Sequence, residues 1–388
     1  MVDRQRRRAR PGATSLTPPG AEPRLRRLVL VGAGRAHLHL LRALAHPLVR
    51  GLEIVLVTKD RVQLDPAMTS GLLRGAYTEA EARIDVAALA ERAGARIVEA
   101  RADRFAPDAQ LILAGSERIA FDLCSIDEIG SPLDSHLPGV VEHAIPVRPA
   151  AILPEARAAI ESRIADGEGQ LRCTVVGGGS VGVECAFALQ RLLRRRRRGG
   201  VVTIVEAAPY LLGDLAPCRD LAFHALERAG VCFALGARVV EVRADRVMLA
   251  SGGELLSDLV LWTTGGAPPG LIVESGLPHD DHGRLLVDEH LRARSGAPIW
   301  AAGDCASIVV GDAGGPRRQG ELLERELRRH LGAPGSRVRR TRAKPLCLID
   351  TGDGQAILQW GSVTARSKFV WWLKRRLDRR FVEQLGRV

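Results

Sequence analysis

The sequence predicts an α/β fold: two Rossmann-like halves, each with a parallel sheet, followed by a small α+β domain. Three observations predict it. A short apolar run, a glycine turn and a helical apolar period follow one another near the N-terminus. The same order returns in the middle of the chain. After Ser336 the character changes to short apolar runs around Cys347 and Ile357 and then a helix rich in Trp and Arg.

In chain order, residues 1–24 hold Arg4, Arg6, Arg7, Arg8 and Arg10 and then Pro and Gly, without the apolar stretch of a secretory signal, so a disordered basic tail is expected. Leu28-Val29-Leu30-Val31 has strand length and runs into Gly32-Ala33-Gly34, after which Leu38, Leu41 and Leu44 recur at helical spacing. Leu52 to Val57 is the next parallel strand and completes a βαβ unit. The pattern returns with Cys173 to Val176, the glycines Gly177, Gly178, Gly179 and Gly182, a helix through Leu189 to Leu193, and a strand from Val201 to Val205. Arg194 to Gly200 reads as a solvated turn. Val239 to Val242, Arg246 to Leu249 and Leu259 to Trp262 read as a meander that finishes the second sheet. The resulting division is 25–150 plus 284–335 for the first domain, 151–283 for the second, inserted in it, and 336–388 for the C-terminal domain with its amphipathic helix.

A chain of 388 residues with 46% hydrophobic and 26% charged residues is neither a disordered polymer, a collagen nor a small disulfide scaffold. Its 56 Lys+Arg against 45 Asp+Glu leave a net charge of +11, which favours nucleotide phosphates, nucleic acid or an acidic membrane surface as partners. Lys59, Lys344, Lys368 and Lys374 are the only lysines, so a general arginine bias accounts for part of that excess. Seven scattered cysteines form no C-x-x-C pair, and neither a disulfide framework nor a metal site is expected. No apolar run approaches the ~18 residues of a membrane span. A cytoplasmic protein, or one held peripherally at the cytoplasmic face of a membrane, is expected.

Gly177-x-Gly179-x-x-Gly182 between strand and helix is a dinucleotide fingerprint, so the halves read as two dinucleotide-binding domains. One glycine makes the turn, one lets the diphosphate reach the backbone, and one lets the helix pack on the strand. The helix N-terminus adds unpaired N–H groups and a positive dipole. Glu206 closes the following strand, where a carboxylate bonds a ribose 2′-hydroxyl and repels a 2′-phosphate, so NADH is expected rather than NADPH. The first fingerprint departs from this pattern: His37 replaces the third glycine, and Thr58, not an acid, ends the second strand. The Thr58 hydroxyl can still bond a ribose. His37 and His39 read as core or surface histidines, the alternative being groups that titrate beside a cofactor.

Ile299-Trp300-Ala301-Ala302-Gly303-Asp304-Cys305-Ala306 is a strand ending in Gly-Asp. Together with Gly32-x-Gly34 and the second fingerprint, it resembles the FAD-dependent pyridine nucleotide oxidoreductases. Among these the chain is most similar to type II NADH dehydrogenases, particularly the NADH dehydrogenase-like flavoproteins fused to or beside selenide, water dikinase. The resemblance spans about residues 28–385 and takes in Phe121 to Pro132, His143 to Pro149, Leu261 to Gly265 and Trp372 to Phe381. It implies that Gly32, Gly34 and Thr58 hold FAD, that Gly303 admits the cofactor and that Asp304 bonds its ribityl chain. The helix starting near Pro316, with Gln319 in its first turn, would aim its N-terminus at the flavin pyrimidine, where reduction deposits negative charge. Glu184 matches a glutamate near the contact of flavin and nicotinamide and is the candidate catalytic residue.

The departures matter as well. Val62 to Ala100 contains no cysteine, which excludes dithiol exchange, and Cys124 and Cys347, the candidates for a sulfide:quinone type of pair, read as buried small hydrophobes. Asp65 to Gly71 keeps only Met68 and Gly71 of the Tyr-Ser-Gly-Met-Leu-Pro-Gly run usual in the selenium-associated relatives. The implied activity is hydride transfer from NADH to FAD and on to a quinone, with a selenium-linked acceptor as the alternative. A flavin-containing switch that binds nucleic acid or protein is the rival from another class. Without an aromatic-interleaved basic groove, nucleic acid is not an expected partner. Phe369 to Phe381 interleaves Trp and Phe with Arg and Lys on one helix, suited either to an anionic membrane surface or to docking on its own domain or a second subunit, which leaves a homodimer open.

Overall fold

The computed structural model describes residues 26–308, 315–333 and 346–386, apart from 47, 50, 129, 131, 166–168, 198 and 214. The expected basic tail, 1–24, lies outside the described residues, as does the segment 336–345.

The continuous apolar runs become two parallel five-stranded sheets. The first has the order Ile299–Ala301, Leu123–Ile126, Arg26–Val31, Leu52–Val57, Ala95–Val98. Leu28 to Val31 are buried on both faces, which is why the run does not alternate with polar residues. The crossover helix Arg35–Leu44 buries Leu38, Leu41 and Leu44 and lies against helix Pro316–Leu331. The two meet at Gly320, where a Cβ would stand 2.5 Å from the His39 Cβ and 2.7 Å from the Ala36 carbonyl oxygen. Only glycine permits that approach.

The second sheet has the order Ala144–Pro146, Leu259–Trp262, Leu171–Val176, Gly200–Glu206, Val231–Leu235, with helix Ser180–Arg195 as the crossover between Leu171–Val176 and Gly200–Glu206. Two details differ from the sequence reading. Ala144–Pro146, placed in the first domain by a boundary at 150, pairs with Leu259–Trp262 in the second sheet. Of the three runs read as one meander, only Leu259–Trp262 joins the parallel sheet, because all four of its residues are buried. Val239–Val242 and Arg246–Leu249 are only partly buried and form a separate antiparallel sheet with Glu254–Leu256. Met68, Leu72, Leu73 and Tyr77, also assigned to the first domain, pack into the core of the second sheet together with Ile349 and Ile357.

Strands Leu346–Asp350, Ala356–Trp360 and Val363–Ser367 form an antiparallel sheet, and helix Lys368–Gly386 follows. The third strand was not anticipated, since V-T-A-R-S contains no apolar run. Val370, Lys374, Asp378 and Leu385 recur at helical spacing and form the buried face of the last helix, whereas Phe369, Trp372 and Leu377 are exposed. The helix crosses the first half of the chain: Arg379 pairs with Glu81 at 2.7 Å, and the Phe381 ring lies 5.1 Å from that of His39. It therefore docks on its own chain and still presents an apolar outer face.

Candidate active site

At the second glycine turn each fingerprint residue has a visible task. Gly177 takes φ +110°, and a Cβ on Gly182 would come within 1.9 Å of the Gly177 carbonyl oxygen, so helix and strand touch backbone to backbone. Gly179 starts the helix in an extended conformation, and nothing lies within 4 Å of where its Cβ would be. That open face above unpaired N–H groups fits a diphosphate. Glu206 is oriented by two backbone donors, Gly178 N–H at 2.5 Å and Ala208 N–H at 2.7 Å. Each oxygen keeps a lone pair for a hydroxyl.

The first turn is built differently. Gly32 takes φ +84°, as the turn requires. His37 is fully buried: its Nδ1 lies 2.7 Å from the Gly32 carbonyl oxygen and its Nε2 2.8 Å from Ser125 Oγ. Burial depresses its affinity for a proton. It is a satisfied core histidine in place of the third glycine. Over the helix N-terminus lies a residue the sequence reading did not single out, Asp127, whose carboxylate accepts the His37 N–H at 2.9 Å. A Cβ on Gly34 would stand 2.2 Å from its Oδ1, and one on Gly303 2.4 Å. Beside this point an open cleft is lined by Gly32, Thr58, Lys59, Arg101 and Glu128 among others. Thr58 Oγ1 accepts the Asp60 N–H at 3.3 Å, and Glu128 Oε2 is buried without a hydrogen-bond partner. The Asp127 carboxylate thus lies over the start of helix Arg35–Leu44, and the cleft opens beside it.

The Gly-Asp turn is fixed to the following long helix, since the Gly303 N–H donates to Gln319 Oε1 at 2.7 Å. That brings the first turn of Pro316–Leu331 to Gly303. Asp304 accepts from Arg148 at 2.8 Å.

Glu184 lies buried where helix Ser180–Arg195, the segment Thr69–Leu73, strand Leu346–Asp350 and the last helix converge. It accepts the Asp350 N–H at 2.7 Å and the Ser70 hydroxyl at 3.2 Å, with Lys374 Nζ at 3.6 Å. Burial pushes its carboxyl up to about 7, against the opposing pull of Lys374. Burial alone would lower Lys374, but Glu184, Asp378 and the neighbouring Tyr77 hold it firmly cationic. Tyr77 donates to Asp378 at 2.9 Å, and Arg74 holds Asp350 at 2.5 Å. Of this junction the sequence reading found Glu184 alone. A signal for Lys374 existed, since it is one of four lysines in an arginine-rich chain. The described cysteines are all unpaired; Cys124 is buried in the first sheet and Cys347 stands in the C-terminal sheet.

Two parallel sheets with glycine turns at helix starts, joined by a Gly-Asp turn, define a two-nucleotide-site α/β protein. Residues 26–324 match the pyridine nucleotide-disulphide oxidoreductase family, and the chain belongs to it. Among curated relatives it is 31% identical over 198 residues to the demethylphylloquinone reductase NdbB of Synechocystis sp., covering 50% of this chain and 48% of that one. It is 32% identical over 147 residues to an internal alternative NAD(P)H-ubiquinone oxidoreductase of Arabidopsis thaliana, covering 36% and 29% respectively. The matched part is thus less than half the length of either relative. In fold it is similar to the sulfide:quinone oxidoreductase of Aquifex aeolicus (TM-score 0.79, 15% identity, 93% of this chain and 91% of that one). It is likewise similar to NDH2 of Plasmodium falciparum, solved with NADH (TM-score 0.73, 13% identity, 93% and 97%).

The Glu184 environment predicts a pH effect on stability. Its pKa in the folded chain lies above the ordinary value of 4.5. The stability contributed by proton binding at Glu184 is therefore fully present below about pH 4.5 and lost as pH rises through about 7, a change on the order of 3 kcal/mol. Glu184→Gln, neutral throughout, should lose this part of the pH dependence in chemical denaturation at pH 5 and pH 8. The same slope in both proteins would contradict the buried, proton-holding state.

Proposed function

We propose that the chain is an FAD-dependent NADH dehydrogenase that passes electrons to a quinone. The observation that carries this reading is the second glycine turn, with its open Gly179 and its Glu206 carboxylate, in a chain whose relatives include proteins named for quinone reduction. Those names favour a quinone over the selenium-linked acceptor. Bound FAD supplies the two-electron chemistry that links a nicotinamide to a quinone. The residues supply position and protons. Gly179 gives the NADH diphosphate access to the helix N–H groups, and Glu206 accepts the ribose 2′-hydroxyl. Gln319 fastens Gly303, and the dipole of the helix behind it favours negative charge at that turn.

Reducing a quinone to a quinol takes two electrons and two protons, and a hydride carries both electrons with only one proton. The second proton must come from the protein or solvent. Glu184, with acidity near neutral, holds a proton at Oε, releases it and is reloaded from solvent, while the Lys374 ammonium favours the carboxylate left behind.

A membrane surface is the natural source of a quinone. No helix among the described residues is long and apolar enough to cross a membrane. The outer face of the last helix exposes Phe369, Trp372 and Leu377, with Arg376 stacked on Trp372. Leu346, Trp360 and Val363, paired across the three C-terminal strands, form a second exposed apolar row. Aromatic groups beside guanidinium groups support attachment to anionic lipid.

Three measurements test this function. Reconstituted with FAD and mixed with NADH without oxygen, the protein should lose its yellow absorbance and regain it on adding a quinone; Glu206→Arg should shift the NADH:NADPH preference about tenfold or more toward NADPH. Persistent colour, or an unchanged cofactor ratio, would count against the hydride chemistry or the Glu206 role respectively. In co-sedimentation, the protein should bind vesicles containing anionic phospholipid better than neutral ones, and the double change Phe369→Glu, Trp372→Glu should weaken that binding about tenfold or more. Equal binding by the variant would remove the last helix from the membrane contact.

A further inference from the structure

We propose that Asp127 is a built-in occupant of the diphosphate seat at the first glycine turn, so that FAD enters only when this carboxylate is neutralised or swung aside. The inference rests on the FAD-dependent reading. The two glycine turns of the chain provide an internal comparison. Gly34 and Gly179 both begin their helices in the same extended conformation, with φ −62° and ψ 170° against φ −69° and ψ −179°. Above Gly179 the space is open, whereas above Gly34 it is filled by Asp127, whose Oδ1 would stand 2.2 Å from a Cβ there. Asp127 Oδ2 takes the His37 N–H, one of the donors that a diphosphate on this helix would use. Gly303, from the Gly-Asp turn, lies against Oδ1, where a Cβ on it would stand 2.4 Å away.

The carboxylate has little charge compensation. On the helix side it meets His37, whose ring nitrogens are taken by Gly32 and Ser125 and which burial keeps neutral. From the Gly-Asp turn come Asp304, whose partner is Arg148, and the Cys305 thiol, and next in the chain is Glu128, held by Arg101. Burial raises the affinity of Asp127 for a proton. An anionic diphosphate entering beside it meets repulsion while the carboxylate is ionised and much less once it is protonated. FAD binding at this seat is thereby coupled to proton uptake and tightens as pH falls.

The test is titration of FAD into flavin-free wild type, Asp127→Asn and Asp127→Ser at pH 6 and pH 8, followed by quenching of flavin fluorescence, with thermal midpoints of the flavin-free proteins in parallel. Asp127→Asn keeps a carbonyl acceptor for the His37 N–H, so it should fold and bind FAD about tenfold or more tightly than wild type at pH 8. Wild type should gain affinity from pH 8 to pH 6, and Asp127→Asn should not. Asp127→Ser should melt at a lower temperature without flavin and recover when it binds. Equal affinities for wild type and Asp127→Asn at both pH values overturn the proposal and leave the FAD reading standing. Failure of all three proteins to bind FAD overturns both.

Discussion

The architecture turns on what satisfies the first N–H groups of its helices. An α-helix leaves these donors without internal partners, and the partial positive charge there attracts an anion. Helix Ser180–Arg195 leaves them facing an open space and surrounds that space with glycine, which is the physical definition of a nucleotide seat. Helix Arg35–Leu44 has the same start and meets the same need from within the chain, through Asp127. Helix Pro316–Leu331 places proline in its first turn, where no donor is lost that the helix could have used, and its Gln319 side chain reaches back to the Gly303 N–H. One electrostatic requirement thus yields an open seat, a self-filled seat and a brace.

The second constraint is the ionic junction under the last helix. Isolated charges in a protein interior are unfavourable, so groups buried there must compensate one another. Glu184, Asp378 and Asp350 are balanced by Lys374 and Arg74, with Tyr77 and the Asp350 N–H filling remaining positions. The groups come from segments far apart in sequence. The junction therefore exists only when the second sheet, the Thr69–Leu73 segment and the C-terminal domain are assembled, which ties the acidity of Glu184 to the docking of the helix that carries the apolar outer face.

Much of the fold was legible because its signals are local. A four-residue apolar run followed by glycine needs no tertiary information to be read as strand and turn, and both parallel sheets grew from such runs. What escaped depends on contact. Ala144–Pro146 is three residues long and gains its identity from Leu259–Trp262 beside it. Gly32, Gly34 and Gly303 were recognised as close-approach glycines, but glycine states only that something comes near, not whether it is a cofactor or a side chain. Asp127 follows a fully buried strand in a segment whose only sequence signal was resemblance. Similarly, Glu184 could be singled out by its place after Gly182, whereas Tyr77 and Asp378 meet across some three hundred residues.

Lys374 shows what a composition bias conceals. In a chain where arginine is the default cation, the group at this point is an ammonium, and the geometry supplies a reason. Its Nζ stands 3.2 Å from Asp378, 3.2 Å from the Ala67 carbonyl oxygen and 3.6 Å from Glu184, three acceptors arranged around one point. A compact ammonium with three donors can serve all of them at once, whereas a planar guanidinium projects its donors in a fixed fork and needs more room than a nearly closed pocket offers. The neighbouring carboxylate, Asp350, is held instead by Arg74 through one Nη2 contact at its Oδ2. The distinction matters for Glu184, because a point charge stabilises its carboxylate without clamping both oxygens: Lys374 and the Asp350 N–H lie on Oε1, and Oε2, which meets the Ser70 hydroxyl, can carry a proton. The lysine at position 374 and the near-neutral pKa of Glu184 are therefore two aspects of one packing arrangement.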